Sequence, residues 1–135
     1  MADDSPLPQP DHLGLPAGSL AVVPVPESGL TLFRLLEGET PREKDFEPRL
    51  SRNQARIRNV PELFRMSLSH WLTEDQALAH SQRRRTAIAE LRVLPGGLTL
   101  VALTEEFDEG HVDVWGHPRD LLDAVARVVV RSKRL

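Results

Sequence analysis

His111-Val-Asp-Val-Trp-Gly-His-Pro118, followed directly by Arg119-Asp-Leu-Leu-Asp-Ala-Val125, is the stretch on which the fold turns. Residues 111–115 have the composition of a strand, Gly116 supplies a sharp turn, and Pro118 suits the first position of a helix. Leu121, Leu122, Val125, Val128 and Val129 then recur at helical spacing. The run Val128–Val130 equally suits a last short strand, because β-branched side chains lose rotamer freedom in a helix. A strand that turns sharply into a helix fixes backbone N–H groups and adjacent side chains in space, a common way to build a site.

Working back from this stretch, Thr86–Val93, Pro95-Gly96-Gly97 and Leu98–Leu103 read as strand, turn and strand, which predicts a hairpin. Arg65–Trp71 alternates Met66 and Leu68 with Ser67 and Ser69, the period of a half-exposed strand. Thr73-Glu-Asp-Gln76 caps a helix expected to run to about Arg85, with acids in its first turn and arginines in its last. Thr40-Pro41-Arg-Glu43 predicts a short helix that stops before Pro48. Leu30–Leu36 is a strand between Gly29 and Gly38 that puts Arg34 on the same face as Leu30, Leu32 and Leu36. The prolines of Ser19–Pro26 allow at most an edge strand there.

These elements predict an α+β fold: one domain over residues 19–131, a bent, mostly antiparallel sheet of five or six strands, and two or three short helices. The proline-rich residues 1–18 are expected to be a disordered tail, and 132–135 a basic one. A chain of 135 residues suffices for one core. It has no cysteine, which excludes disulfides and thiol chemistry and fits a reducing cytoplasm. An acidic start without an apolar core, and no run of about 18 apolar residues, predict a cytoplasmic protein without a membrane partner. A net charge of −3 argues against nucleic acid as a partner. Arginine outnumbers lysine fifteen to two, and four arginines crowd the loop Arg49–Arg58, whereas carboxylates crowd Glu105–Glu109.

Among candidate site residues, His111 and His117 are six apart, which fits neither the helical nor the strand spacing of a metal pair, so no metal is expected. The acidic loop lacks the spacing of a calcium loop. Serines 67, 69 and 81 sit in no nucleophile elbow. Trp115 either packs at the end of its strand or stacks on a planar ligand. Arg34, on a face shared with leucines, must snorkel, pair with an acid such as Glu90, or bind an anion.

Phe33-Arg34 on an early strand, Met66-Ser-Leu-Ser69 on a middle strand before a capped helix, and a late polar strand together resemble ADP-ribosyltransferase-like domains. The segment Leu32–Val129 is also similar to a group of small, chiefly actinobacterial proteins with a closing His-x-x-x-Trp-Gly-x-Pro motif, here His111–Pro118. The resemblance implies a small protein that binds a nicotinamide dinucleotide (NAD) or related nucleotide, with a toxin-type role among its settings. As an enzyme it would be an ADP-ribosyl transferase or an NAD-consuming hydrolase. Arg34, Ser67, Ser69 and Trp115 would then contact the nucleotide. His111, Asp113 and Glu109 would stand where such domains carry a late-strand glutamate, whose absence removes the main electrostatic partner of an oxocarbenium-like centre. The competing expectation is a non-catalytic module that docks a protein through the Arg49–Arg58 or Glu105–Glu109 loop. The dinucleotide reading expects Arg34, Ser67, Ser69 and His111 to converge on one pocket.

Overall fold

Leu30–Leu36 and Arg85–Val93 run antiparallel through seven consecutive residue pairs, from Leu30 opposite Val93 to Leu36 opposite Ala87. They lie side by side toward one edge of the sheet in a computed structural model that describes residues 22–47, 67–104 and 109–132. Among the described residues seven strands are present: β1 (Val23–Pro24), β2 (Leu30–Leu36), β3 (Leu68–Trp71), β4 (Arg85–Val93), β5 (Leu100–Leu103), β6 (His111–Trp115) and β7 (Val125–Ser132). They lie in the order β1-β5-β6-β3-β2-β4-β7, and every neighbouring pair is antiparallel. Two short helices, α1 (Glu74–Ala79) and α2 (Pro118–Asp123), and a 3-10 turn (Glu43–Phe46) accompany them. The α+β arrangement is as the sequence predicts, with seven strands in place of five or six.

Strand alternation gives the sheet two unlike sides. On one, Leu32, Leu68, Leu91, Val101, Val112 and Val114 join a single apolar cluster, closed by Phe46 of the 3-10 turn and Leu121 of α2. On the other, Phe33, Leu35, Trp71 and Ile88 pack against Ala77 and Leu78 of α1. That side also carries charge: Glu74 and Asp75 of α1 pair with Arg131 of β7, and Glu90 of β4 pairs with Arg127.

Three local expectations are corrected, and the open choice between helix and strand for residues 126–131 is resolved. The hairpin over Thr86–Leu103 does not form, because β4 lies between β2 and β7 while β5 lies between β1 and β6. Pro95-Gly96-Gly97 is instead part of a crossover, with Gly96 at φ 94°. The helix capped by Thr73, whose Oγ1 accepts the Gln76 N–H at 3.1 Å, ends at Ala79 rather than near Arg85. Its successor Ser81 takes the Arg83 N–H on its hydroxyl at 3.1 Å, diverting the backbone from further helical bonds. The helix expected after Thr40 is only the 3-10 turn, started by the Arg42 N–H donating to Asp45 Oδ2 at 2.8 Å. Residues 126–131 are strand, since the exposed edge of β4 offers them a ladder from Leu91 to Arg85.

The proline-limited edge strand is present as the two residues Val23–Pro24 paired to β5. Residues 1–21 and 133–135, the loop Arg49–Arg58, and 105–108 of the acidic loop lie outside the described residues. Among those described, no helix is long and apolar enough to cross a membrane.

Gly110 fixes the entry to β6. It sits at φ +74°, a Cβ there would lie 1.9 Å from the Gln76 side chain, and its carbonyl accepts the Leu72 N–H at 2.9 Å. Gly110→Ala is therefore expected to destabilise the protein by about 2–4 kcal/mol, the left-handed penalty plus displacement of Gln76. Urea unfolding of the variant beside Gly97→Ala, where a Cβ meets nothing within 4 Å, separates this from a general glycine effect.

Candidate functional site

The polar residues singled out from the sequence fall mainly on two adjacent strands, β3 and β6, paired with Ser69 opposite Asp113 and Trp71 opposite His111. Directly opposed residues share a side, so Ser67, Ser69, Trp71, His111, Asp113 and Trp115 project to the side that carries α1. There a hydrogen-bonded network forms. Ser67 Oγ donates to Asp113 Oδ1 at 2.7 Å, Ser69 Oγ lies 2.9 Å from His111 Nε2, and Thr104 Oγ1 lies 2.6 Å from His111 Nδ1. Asp113 Oδ2 is 3.7 Å from the same Nδ1. The Trp71 ring meets the imidazole edge to face at 5.4 Å between centroids. His111 and Asp113 are each 1% exposed and Thr104 is fully buried.

One arrangement of protons satisfies these partners. Ser69 donates to Nε2, the Nδ1–H points to Thr104 Oγ1 with the Asp113 carboxylate behind it, and the Thr104 hydroxyl donates to the His111 carbonyl at 3.3 Å. A carboxylate 3.7 Å from Nδ1 favours the proton there. The imidazole thus presents a basic nitrogen to a serine hydroxyl that is itself half-buried. Asp113 Oδ2 is buried and has no hydrogen-bond partner among the described residues, an omission that costs about 1–3 kcal/mol or more when the acceptor is charged.

Arg34 lies on the opposite side. It extends from the leucine face of β2, its Nε donates to the Asp45 carbonyl and its Nη1 to the Ser69 carbonyl, both at 2.8 Å, and its guanidinium lies 5.8 Å from the Phe46 ring centre. The expected convergence of Arg34, Ser67, Ser69 and His111 on one pocket is corrected: the β-pleat puts Arg34 on one side and the serine and imidazole side chains on the other. Of the alternatives open to Arg34, pairing with Glu90 is ruled out for the same reason, since Glu90 lies on the other side and faces Arg127 at 2.8 Å. Arg34 still touches the network from behind, through the backbone of Ser69. Glu109 is exposed in the turn before β6 and stands apart from the network. Trp115 is half-buried on the network side, opposite Leu100.

Two buried polar residues nearby, one in the network and one behind it, were not singled out as site residues. Thr104 closes the same loop as His111, its N–H donating to the His111 carbonyl at 2.9 Å; a threonine at a strand end flanking a loop is too common a pattern to mark it. His70 alternates away from the serines into the apolar cluster side, where its Nδ1 lies 3.2 Å from the Leu68 carbonyl and its Nε2 has no partner among the described residues. Elsewhere, a shallow groove of about 200 Å³ is lined by Glu37, Glu39, Arg83 and Arg85 among others, below the roughly 300–1,000 Å³ of ligand pockets. Arg85 pairs with the Glu39 carboxylate there, and Arg83 donates to the Glu37 main-chain carbonyl. Among the described residues no three side chains are grouped to hold a metal ion. Comparison with protein-family models, curated proteins and solved structures finds no match for the chain.

Burial first, then the nearby Arg34 and, least of all, His111 hold the His70 imidazole well below the ordinary histidine range, the Leu68 carbonyl opposing them by less than Arg34 contributes. The unfolded chain takes up a proton at this residue near pH 6.5 and the folded chain does not, so stability falls as pH drops below that point. This residue contributes up to about 1.4 kcal/mol per pH unit. Denaturation at pH 7.5 and 5.5 is expected to show that loss in the wild type and a shallower one in His70→Leu; parallel losses would mean other groups carry the acid sensitivity.

Proposed function

We propose that the chain is a small ADP-ribosyltransferase-like protein that binds a nicotinamide dinucleotide or a related nucleotide on the β3–β6 side of its sheet. The observation that carries this reading is the buried carboxylate of Asp113, held at Oδ1 by Ser67 and left without a donor at Oδ2 among the described residues. An acceptor kept dry and unfilled is completed by an incoming hydroxyl such as that of a ribose. The late strand offers aspartate where the resemblance would have glutamate, and Ser67 supplies the supporting serine.

The three strands on which the resemblance rests, β2, β3 and β6, are also consecutive neighbours in the sheet. In this reading Asp113 orients the ribose. His111, fixed by Ser69 and Thr104, lies beside it as a proton acceptor, and Trp115 adds an aromatic surface two residues further along the same side of the strand. Arg34 acts as a positioning residue that holds the Ser69 carbonyl and hence the register of β3 against β2. A transferase step would break the bond between ribose C1′ and the nicotinamide nitrogen, release nicotinamide, and form a new C1′–O bond to an acceptor hydroxyl or water whose proton passes to His111, with Asp113 stabilising the developing cation.

Calorimetric titration with the dinucleotide tests the reading. Binding heat is expected at millimolar ligand, and Asp113→Asn should weaken binding at least tenfold, about 1.4 kcal/mol, by exchanging the charged acceptor for an amide. Absence of heat from the folded wild type at millimolar dinucleotide, or equal affinity in the variant, overturns it.

A further inference from the structure

The strand β7 ends the sheet, with no strand on its outer side among the described residues. An eight-residue edge is an open template for pairing, and native edges of this length are usually blunted by proline, lysine or a bulge. Val125–Ser132 contains neither proline nor lysine. Its one irregularity lies at its start, where Arg127 faces Glu90 but Val125 faces Leu91, so Ala126 is skipped. From Arg127 onward the pairing is regular to Ser132.

That regular part reads Arg127-Val-Val-Val-Arg131, the same in both directions. We infer that β7 pairs with β7 of a second copy of this chain, antiparallel about Val129, so that the two sheets become one. A two-fold interface must be self-complementary, residue i meeting j and j meeting i, and a palindromic strand satisfies this in the antiparallel sense. Pairing must also keep each face continuous, because a one-residue slip turns every side chain over.

Centring on Val129 meets both demands. Val128, which packs against the main apolar cluster, comes opposite Val130 of the second copy, and Val130 is 36% exposed in the single chain. Val129 meets its own copy on the other side. Arg127 then faces Arg131 of the second copy, a like-charge pair that would oppose association if bare. Neither guanidinium is bare. Arg131 hydrogen-bonds Glu74 and lies 3.2 Å from Asp75, while Arg127 lies 2.8 Å from Glu90 and 3.7 Å from Glu74. A second copy fits this edge better than the chain's own N-terminal residues, whose Pro6, Pro8, Pro10 and Pro16 cannot donate to a ladder.

Sedimentation equilibrium of the full chain over about 1–500 μM should show a concentration-dependent dimer. Val129→Lys places two ammonium groups on the two-fold axis and should weaken the dimer at least tenfold with unchanged circular dichroism. Because the chain has no cysteine, single cysteines report the register: cross-strand Cβ atoms lie about 4.5–5.5 Å apart, close to disulfide reach. Val129→Cys should cross-link to itself on mild oxidation. Val128→Cys and Val130→Cys should cross-link to each other when mixed, and poorly alone. A monomer across the whole range, a dimer that survives Val129→Lys, or equal self-linking at all three positions overturns the inference.

Discussion

The two-residue period of β3 is the constraint from which the rest of the arrangement follows. Ser67, Ser69 and Trp71 project to one side of the sheet, while Leu68 and His70 project to the other. The register of Ser69 opposite Asp113 and Trp71 opposite His111 carries the same division into β6, and Phe33 opposite Trp71 carries it into β2. Arg34, one residue along from Phe33, is thereby committed to the face of His70. No side-chain rotation brings it back to the serines, because the sheet itself stands between.

The cost of that division falls on polar groups in dry surroundings, and the chain meets it differently on each side. Arg34 is half-buried beside leucines and places its donors on two main-chain carbonyls, which ties the 3-10 turn and β3 to β2. His70 stays neutral, a cheaper state for an imidazole without room for a counter-charge. On the other side the hydroxyls of Ser67, Ser69 and Thr104, the His111 imidazole and the Asp113 carboxylate bond one another, with Asp113 Oδ2 left over. Trp71 Nε1 and Gln76 Oε1 on the same side are likewise buried without a partner among the described residues, and each such atom carries a desolvation cost that a purely structural network would have to absorb.

Strands were legible where composition and period agreed. The leucines of β2, the segment His111–Trp115 and the proline-limited edge at Val23–Pro24 all stand where their patterns put them. Errors came where a local signal met a stronger partner elsewhere. Pro95-Gly96-Gly97 has turn chemistry, but the glycines cannot specify whether the strands they join are neighbours, and β2 and β7 occupy both edges of β4. Arg83–Arg85 look like the basic last turn of a helix, yet they lead into β4 once Ser81 has taken a backbone N–H. Val125–Val129 fits a helical repeat and a strand equally, and the open edge of β4 resolves it.

Residue identity by itself determined which groups are available: a chain without thiols, an arginine among leucines, alternating serines, and a late strand that carries histidine and aspartate. It also determined that these groups ride on strands, because hydrophobic alternation is a local property. The tertiary structure decided which of them meet. Contact across strands depends on sheet order and on even or odd register, neither of which is encoded within any one segment. That is why His111 finds Ser69 and Thr104, why Asp113 finds Ser67, and why Arg34 reaches the same strand only through its backbone, from the far side.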